Sequence, residues 1–288
     1  MTVNDLTARR EAREATRIAS AHARSWQLVS AMHPDVFDAA HLGHADQIIL
    51  DVEDAVDDSQ KAQALENVVD WLRGGGTAWV RINDVTTPFW AQDLEVLAGV
   101  PGLSGVMLAK TESAGQVTET YERLGRVVPV MALVESALGI EEANSIARAE
   151  GCFRLAFGSG DYRKDTGAAN EPIAMAYPRT KLVLASRIGG LTGPVDGPTV
   201  GPVSKATREQ SSDAVTLGMT GKLCLNNEQP EAVNRYFTPT PADIEWAQAF
   251  LAEFEAAGRV IRDGSDKPRL ARAQKIAERA SVYGVATF

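Results

Sequence analysis

Short apolar runs alternate with amphipathic segments along most of the chain. We expect eight of these runs to be strands: Trp26–Ala31, Gln47–Val52, Thr77–Ile82, Gly105–Leu108, Val128–Val134, Arg154–Gly158, a weaker run around Val195, and Lys222–Leu225. Segments with helical periodicity lie between them, among them Gln60–Arg73, Thr118–Leu124, Ile140–Ala149 and Pro178–Gly189. Buried strands that alternate with helices indicate βαβ units and a parallel sheet.

The number of predicted strands favours an α/β fold of the (β/α)₈ TIM-barrel type over an open sheet. Two further helices, Pro241–Ala257 and Lys267–Tyr283, follow the eighth strand. The first residues are charged and rich in alanine, with little apolar periodicity. We therefore expect an N-terminal helical arm at 1–23 and a TIM-barrel catalytic domain with C-terminal helices at 24–288.

The composition mainly argues against certain partners, namely nucleic acid and membranes. Of the 288 residues 44% are hydrophobic, which is enough for a full core. The formal net charge of -9 argues against a nucleic-acid partner, because a phosphate-binding surface needs clustered Lys and Arg. No apolar run reaches the roughly 18 residues of a membrane helix, and no apolar signal core is apparent, so we expect a cytoplasmic protein without a membrane partner. Cys152 and Cys224 lack a CxxC neighbour and are expected to be free thiols.

Two carboxylates are expected to meet at the strand ends where a TIM barrel has its active site. Glu135 ends the fifth apolar run and Asp161 follows the sixth, so neighbouring strands would bring them together. Two carboxylates with water and substrate oxygens suit Mg²⁺, with Mn²⁺ as the alternative ion. The competing interpretation is that each acid is an exposed loop residue.

Further acids end the second run. Asp51 and Glu53 share one face of their strand by alternation, whereas Asp54 points elsewhere. A helix N-cap with an acidic first turn explains Asp57 and Asp58 well. It explains Asp51 and Glu53 poorly, because both lie at the end of a buried strand.

Two cations accompany these acids. Arg81 interrupts an otherwise core-like strand, and a buried Arg needs a partner. It is either a structural ion-pair partner of Glu53 or Asp51, or a guanidinium fork for a substrate carboxylate or a developing enolate oxygen. Lys110, at the end of the fourth run, is expected to bridge two acids or to contact substrate.

The histidines offer no obvious metal site. His41 and His44 flank a turn before the second strand, at the end of the barrel opposite the expected site, and we expect both on the surface. His33 follows the first strand and is positioned to face the site.

A series of motifs in order along residues 24–283 resembles one known family. They are Arg24-Ser25, Leu50-Asp-Val-Glu-Asp-Ala-Val56 with Lys61, Val80-Arg-Ile-Asn83, Ala109-Lys-Thr-Glu-Ser-Ala114, Val134-Glu-Ser-Ala137, Phe157-Gly-Ser-Gly-Asp-Tyr162, Leu182-Val-Leu-Ala-Ser-Arg187 and Gly221-Lys222. They are similar to the citrate lyase β-subunit family, within the wider HpcH/HpaI aldolase group.

The resemblance implies a metal-dependent TIM barrel and gives each candidate residue a role. Glu135 and Asp161 would bind Mg²⁺ directly. Glu53 and Asp54 would hold metal-bound water and orient the site. Arg81 would bind substrate oxygens while the metal polarises a 2-oxo acid carbonyl, an arrangement that stabilises developing oxyanion charge.

The resemblance therefore divides the candidates into three groups, of which the first, the metal ligands, comprises Glu135 and Asp161. Candidate catalytic residues are Arg81, Glu53 and Asp54. Candidate substrate contacts are Arg81, Lys110 and Glu135. The general base is either Glu53 or an acid from a neighbouring subunit.

Two loops depart from the family pattern. The usual Pro-Gly-Asn-Arg-Pro type loop after the first strand is here Ser30-Ala-Met-His-Pro34, without the arginine. Near the eighth strand, the usual Trp-Cys-Ile-His-Pro is here Leu223-Cys-Leu-Asn-Asn227. The missing arginine removes an expected contact to a coenzyme A phosphate or to the substrate.

The resemblance implies a lyase that makes or breaks a 3-hydroxyacyl-CoA of the citryl-, malyl- or citramalyl-CoA type. Its partners would be a small 2-oxo acid and an acyl-CoA, and it would be a homo-oligomer, a trimer or a hexamer. The alternatives are an aldolase acting on a free hydroxy-oxo acid without coenzyme A, a malyl-CoA-type thioesterase, and a non-catalytic subunit that has kept the barrel.

Overall fold

The computed structural model describes residues 3–288, with side chains from residue 5 onward. Its eight parallel strands form a closed barrel in chain order. By compactness the chain divides into two units, one ending at Asn234 and the other comprising Arg235–Phe288. Residues 1–2 of the predicted arm lie outside the described residues, and the expected boundary between 1–23 and 24–288 stays a prediction. No helix among the described residues is both long enough and apolar enough to cross a membrane.

All eight predicted strands are confirmed, with ends that shift by one or two residues. They are β1 Ser25–Ser30, β2 Gln47–Asp51, β3 Ala78–Ile82, β4 Leu103–Leu108, β5 Val130–Val134, β6 Cys152–Phe157, β7 Val195–Asp196 and β8 Gly221–Cys224. The pairing of β1 with β8 closes the barrel, with Ser25 opposite Lys222. The register places Asp51 of β2 opposite Arg81 of β3, so these two side chains meet near the carboxyl end of the barrel.

Helices alternate with the strands along the chain, as the pattern predicts, and three of those described follow β8. They are α1 Val3–Thr16, α2 Phe37–His41, α3 Lys61–Arg73, α4 Phe89–Leu97, α5 Ala114–Arg123, α6 Ala137–Ile146, α7 Ser159–Thr166, α8 Pro172–Ile188, α9 Lys205–Leu217, α10 Gln229–Phe237, α11 Pro241–Ala256 and α12 Asp266–Val282. The predicted start of α8 at Pro178 is wrong, because the helix begins at Pro172 and Pro178 lies inside it. Proline is favoured in a first turn, which made the later proline resemble a helix start.

Large apolar side chains fill the barrel interior below the site. Trp26 and Trp79 pack edge to face, with ring centroids 5.2 Å apart. A Cβ on Gly105 would come within 2.3 Å of the Trp79 ring, so this position of β4 has to be glycine. Stacked layers of side chains make the interior of such a barrel a packed core rather than a channel.

Arg154 closes the opposite end of the barrel. This fully buried residue of β6 donates from Nε to the Gly193 carbonyl at 2.7 Å. Its other nitrogens donate to the Ala23 carbonyl at 2.9 Å and to the Thr220 hydroxyl at 2.7 Å. These bonds tie together the loops that lead into β1, β7 and β8, and they leave the carboxyl end as the accessible end of the barrel.

His41 is completely buried, so the expectation that it lies on the surface is wrong. Its ring packs edge-on against Trp71, and the guanidinium of Arg17, the residue after α1, lies 3.1 Å from its Nδ1. Burial, followed by the charge of Arg17, lowers the pKa of His41 to about 4. The sequence pattern does not show that Trp71 and Arg17, both distant in sequence, lie against this side chain. His44 is exposed, as expected.

The second unit contains a helical hairpin of α11 and α12. Its core is formed by Ala247, Phe250 and Ala273. Arg269 and Arg272 lie over the rings of Phe250 and Trp246, at 4.8 and 4.6 Å from the ring centroids. These cation–π contacts cover aromatic surface that a two-helix core alone cannot enclose.

Candidate active site

A pocket of about 490 Å³ opens at the carboxyl ends of β3 to β6. The loops and helices that follow these four strands supply its lining, which places it where a TIM barrel carries its chemistry. The lining residues are Asp84, Thr86, Lys110, Glu112, Gln116, Glu135, Ser136, Asp161, Lys164 and Asp165.

Glu135 is the deeply buried carboxylate of this pocket. It directly follows β5, is 4% exposed, and its Oε1 accepts the backbone N–H of Lys110 at 2.8 Å. Burial raises the pKa of Glu135 to about 8, and the charges of Glu53 and Asp161 act in the same direction. A carboxylate in such a place is destabilised as an anion unless a cation joins it.

Gly158 makes room for Glu135. A Cβ at this position, which follows β6, would lie 2.1 Å from Oε2 of Glu135. No side chain other than hydrogen fits there without moving the carboxylate. The glycine of the Phe157-Gly-Ser-Gly-Asp motif thus has a steric reason within the site.

Asp161 supplies the second carboxylate. It lies in the first turn of α7, is partly buried and lines the same pocket. Its charge contributes to the raised pKa of Glu135, so the two carboxylates interact electrostatically across the pocket. The sequence-based expectation that β5 and β6 bring these acids to one place agrees with this geometry.

The donor set at Glu135 and Asp161 fits a magnesium ion. In the part of the chain with described side chains, no three His, Cys, Asp or Glu residues gather closely enough to hold a metal by themselves. An ion held by these two carboxylates would complete its shell with water and substrate oxygens, which is the usual arrangement for Mg²⁺. A desolvated carboxylate beside a second acid is the electrostatic setting that such an ion relieves.

Arg81 is engaged mainly with Asp51 and lies beside the pocket rather than in its lining. Its Nε and Nη2 donate to the two oxygens of Asp51 at 2.8 and 2.6 Å. The third nitrogen, Nη1, lies 3.1 Å from Oε2 of Glu53. Burial alone would lower the pKa of Arg81, but Asp51 outweighs it and the net shift is upward. The guanidinium is therefore permanently charged and fixed in orientation.

Glu53 connects the two cations of the site. Its Oε1 accepts from the ammonium of Lys110 at 3.0 Å, and its Oε2 faces Arg81. Burial raises the pKa of Glu53, partly offset by Arg81. Asp54, about half exposed, lies 3.8 to 3.9 Å from both cations. Burial opposes ionisation of Asp54, but Arg81, a hydrogen bond with Glu53, and the charges of Lys110 and Lys61 together outweigh it, so the pKa of Asp54 is lowered.

The predicted site residues thus occupy two adjoining places. Lys110, Glu135 and Asp161 line the pocket, whereas Arg81 and Glu53 form the ion-pair network beside it. Lys110 belongs to both groups, and its backbone adopts a φ of 47°. For L-residues this left-handed conformation is uncommon and costs energy.

Several pocket residues were not recognised from the sequence. Ser136 donates to Oε1 of Glu112 at 2.5 Å and also caps α6 by accepting the N–H of Gly139. Asp165 accepts the backbone N–H of Ala137 at 2.8 Å. Glu112 and Ser136 could have been found only through the family resemblance, because both lie in motifs that carry it.

The two segments that differ from the family pattern, Ser30–Pro34 and Leu223–Asn227, contain no lysine or arginine. The hydroxyl of Ser30 donates to the carbonyl of Ala55 at 3.1 Å, and His33 is exposed. After β8, Asn227 accepts a bond from the side-chain amide of Gln27. Neutral hydrogen bonds hold these loops, and His33 is not among the residues that line the pocket.

Two family models match this chain, one over the barrel and one over the C-terminal helices. Residues 24–227 match the model of the HpcH/HpaI aldolase/citrate lyase family, and residues 242–284 match that of the HpcH/HpaI aldolase C-terminal domain. The chain is 30% identical over 251 residues to a citrate lyase subunit beta-like protein of Deinococcus radiodurans, covering 80% of this chain and 88% of that protein.

Two further similar proteins are associated with coenzyme A or its esters, one by its name and one by its bound ligands. An L-malyl-CoA/beta-methylmalyl-CoA lyase of Cereibacter sphaeroides is 30% identical over 263 residues, covering 78% of this chain and 81% of that enzyme. The solved structure of CitE from Mycobacterium tuberculosis, in complex with magnesium, acetoacetate and coenzyme A, superimposes with a TM-score of 0.75 at 28% identity. That superposition covers 91% of this chain and 99% of the other.

Proposed function

Because this chain belongs to the HpcH/HpaI aldolase/citrate lyase family, we propose that it is a magnesium-dependent carbon–carbon lyase acting on a 3-hydroxyacyl-CoA thioester. Its products or substrates would be a small 2-oxo acid and an acyl-CoA. The observation that carries this proposal is the buried Glu135 sharing a pocket with Asp161 at the carboxyl ends of adjacent strands.

In this proposal Glu135 and Asp161 hold the magnesium ion. When bound, the ion supplies Lewis-acid polarisation of the 2-oxo acid carbonyl. Glu135 is anchored for this work by the Lys110 N–H and by the contact with Gly158, so its carboxylate is preorganised. A ligand whose rotamer is locked by its surroundings loses little entropy when the ion arrives.

Arg81 and Lys110 supply fixed positive charge beside that centre. The fork on Asp51 prevents Arg81 from moving, and Glu53 holds the Lys110 ammonium. Fixed cations near a site of developing oxyanion charge stabilise it without reorganisation. We assign Arg81 to electrostatic stabilisation of substrate oxygens from its position beside the pocket, and Glu53 with Asp54 to orienting water and both cations.

The relatives support the chemistry of the ligands. The Cereibacter sphaeroides enzyme is named as a lyase of malyl-CoA, and the Mycobacterium tuberculosis structure contains magnesium and coenzyme A. A further Mycobacterium tuberculosis citrate lyase beta subunit is complexed with oxaloacetate and magnesium, with 30% identity and a TM-score of 0.67. These ligands combine a 2-oxo acid, a thioester carrier and the metal that the pocket fits.

The loop Ser30–Pro34 supports a second candidate, an aldolase that uses a free hydroxy-oxo acid. This loop has no arginine, and the family resemblance leads us to expect one there that contacts a coenzyme A phosphate or the substrate. A thioesterase of the malyl-CoA type is a variant of the first candidate in which water replaces the carbon nucleophile.

Calorimetric titration of the magnesium-loaded protein tests the proposal. Acetyl-CoA is titrated first, followed by pyruvate, glyoxylate and oxaloacetate. Binding of acetyl-CoA together with one oxo acid supports the coenzyme A lyase. Binding of an oxo acid alone supports the free-acid aldolase, and binding of none contradicts both.

We also propose a homo-oligomer, a trimer or a hexamer, on the strength of the family. Light scattering coupled to size-exclusion chromatography measures this directly. A monomer at micromolar concentration would contradict it.

A further inference from the structure

The proposed pocket carries more negative than positive charge. Its lining contains two lysines and five acids, the acids being Asp84, Glu112, Glu135, Asp161 and Asp165. A 2-oxo acid bound there brings at least one more carboxylate. Each carboxylate of the substrate therefore needs a cation of its own, from the metal or from a side chain.

Lys110 cannot easily fill that need, because acids already surround its ammonium. Its Nζ lies 3.0 Å from Glu53 and 3.8 Å from both Asp54 and Asp84. Arg81 is committed to its fork on Asp51 and is not part of the lining. Both cations mainly balance acids of the protein itself.

Lys164 is placed differently. It is an exposed residue of α7 that lines the pocket, and no carboxylate among the described side chains lies within ion-pairing distance of it. Its neighbour Asp165 is occupied by the N–H of Ala137. In the described part of the chain, Lys164 is thus the lining cation that remains available for a ligand.

The helix geometry places Lys164 beside the proposed metal. It lies three residues after Asp161 on α7, so the two side chains share one face of the helix with Cβ atoms roughly 5–6 Å apart. A lysine stem spans a comparable distance and adapts its direction freely. A ligand group projecting from a substrate held at Asp161 and Glu135 comes within reach of its ammonium.

We propose that Lys164 binds a second carboxylate of the 2-oxo acid, and hence that this enzyme prefers a 2-oxo dicarboxylate of the oxaloacetate type to a monocarboxylate such as pyruvate. This inference rests on the proposed function and adds the substrate class. Gln116 is positioned to assist, since its Oε1 accepts the N–H groups of Glu112 and Ser113 and leaves its amide nitrogen as a donor in the lining.

The test compares two ligands across matched variants of the magnesium-loaded protein. Dissociation constants for oxaloacetate and pyruvate are measured by calorimetry for wild type, Lys164→Met and Lys164→Arg. Lys205→Met is the control, because Lys205 is an exposed lysine of α9 that pairs with Glu209 and does not line the pocket. Melting temperatures confirm that each variant is folded.

We expect Lys164→Met to weaken oxaloacetate binding about tenfold, as for loss of a hydrogen bond to a charged group, and to change pyruvate binding less than twofold. Lys164→Arg restores most of the preference, and Lys205→Met behaves as wild type. If Lys164→Met weakens the binding of both ligands equally, or weakens neither, the assignment of Lys164 is overturned and the lyase proposal still stands. Wild-type protein that binds neither oxo acid overturns both.

Discussion

Lys110 contacts two buried carboxylates that follow different strands. Its backbone N–H donates to Oε1 of Glu135 at 2.8 Å, and its ammonium lies 3.0 Å from Oε1 of Glu53. The left-handed backbone at Lys110, with a φ of 47°, accompanies both contacts. Strain of this kind persists only where the surrounding bonds outweigh it.

Replacing Lys110 by glycine and by methionine separates the backbone from the ammonium. Both variants lose the cation beside Glu53, so we expect turnover to fall by a similar factor in each. Lys110→Gly should be more stable than Lys110→Met by roughly 1 kcal/mol, because glycine adopts positive φ without strain. Urea unfolding and steady-state kinetics measure the two effects. A methionine variant as stable as the glycine variant would show that the backbone stores no strain.

Gly158→Ala should weaken metal binding although both proposed ligand residues, Glu135 and Asp161, are retained. The added methyl would lie 2.1 Å from Oε2 of Glu135 and must displace the carboxylate. We expect magnesium affinity to fall by roughly tenfold or more, as for other losses of ligand support. Gly160→Ala is the matched control, because its Cβ would meet no atom within 4 Å. Equal affinities in both variants, measured by calorimetry, would contradict Glu135 as a ligand.

Glu135→Gln should remove magnesium binding and leave the fold intact. Burial raises the pKa of Glu135 to about 8, so the ionised carboxylate is a cost to the metal-free protein. We expect the variant to melt at or above the wild-type temperature without magnesium. Unlike wild type, it should gain no stability when magnesium is added, since only binding to the folded state stabilises. A magnesium-induced rise in melting temperature equal to that of wild type would remove Glu135 from the proposed metal site.

Arg81→Lys should be costly in spite of the retained charge. A lysine cannot reproduce the two parallel bonds to Asp51, which is buried. We expect a loss of roughly 2–3 kcal/mol in the free energy of unfolding and a fall in turnover of roughly a hundredfold. Chemical denaturation and steady-state kinetics measure the two losses separately. Near-normal turnover in a destabilised variant would reduce Arg81 to a structural partner of Asp51.

Asp93 should make stability depend on pH in mildly acidic solution. Burial raises the pKa of Asp93 to about 6, against lowering by hydrogen bonds from Asn83. The folded protein therefore holds this proton more tightly than the unfolded chain, so stability falls as pH rises from about 4 to about 6. The contribution is at most roughly 3 kcal/mol.

Comparison with Asp93→Asn isolates that contribution. The variant cannot titrate at this position, so the difference in unfolding free energy between variant and wild type should change between pH 4 and pH 6 and level off above. Urea unfolding at several pH values measures it. A difference independent of pH would show that Asp93 has an ordinary pKa in the folded protein.

The strand pattern and the strand-end acids could be predicted because they are local properties of the sequence. A buried strand needs a short apolar run, and a parallel barrel places the residue after each run at the same rim. This reasoning placed Lys110, Glu135 and Asp161 at the rim, where they line the pocket, whereas Arg81 was singled out as a charged residue within a buried strand. The start of α8 was not, because Pro178 is tolerated inside a helix whose other contacts compensate for the lost hydrogen bond.

Contacts distant in sequence decided the rest. His41 is buried and contacts Trp71 and Arg17, and no local pattern encodes these contacts between residues distant in sequence. The guanidinium of Arg81 binds Asp51 rather than entering the pocket, because the register of β2 and β3 places these two residues opposite each other.

The sequence by itself determined the barrel and which strands carry charge at their carboxyl ends, since periodicity and composition act over a few residues. Only the tertiary structure decided which charges neutralise one another and which remain for a ligand. That division depends on distances of a few ångströms between loops far apart in the chain. Lys110 and Lys164 look alike in the sequence, yet one is held by three acids and the other lines the pocket unpaired among the described side chains.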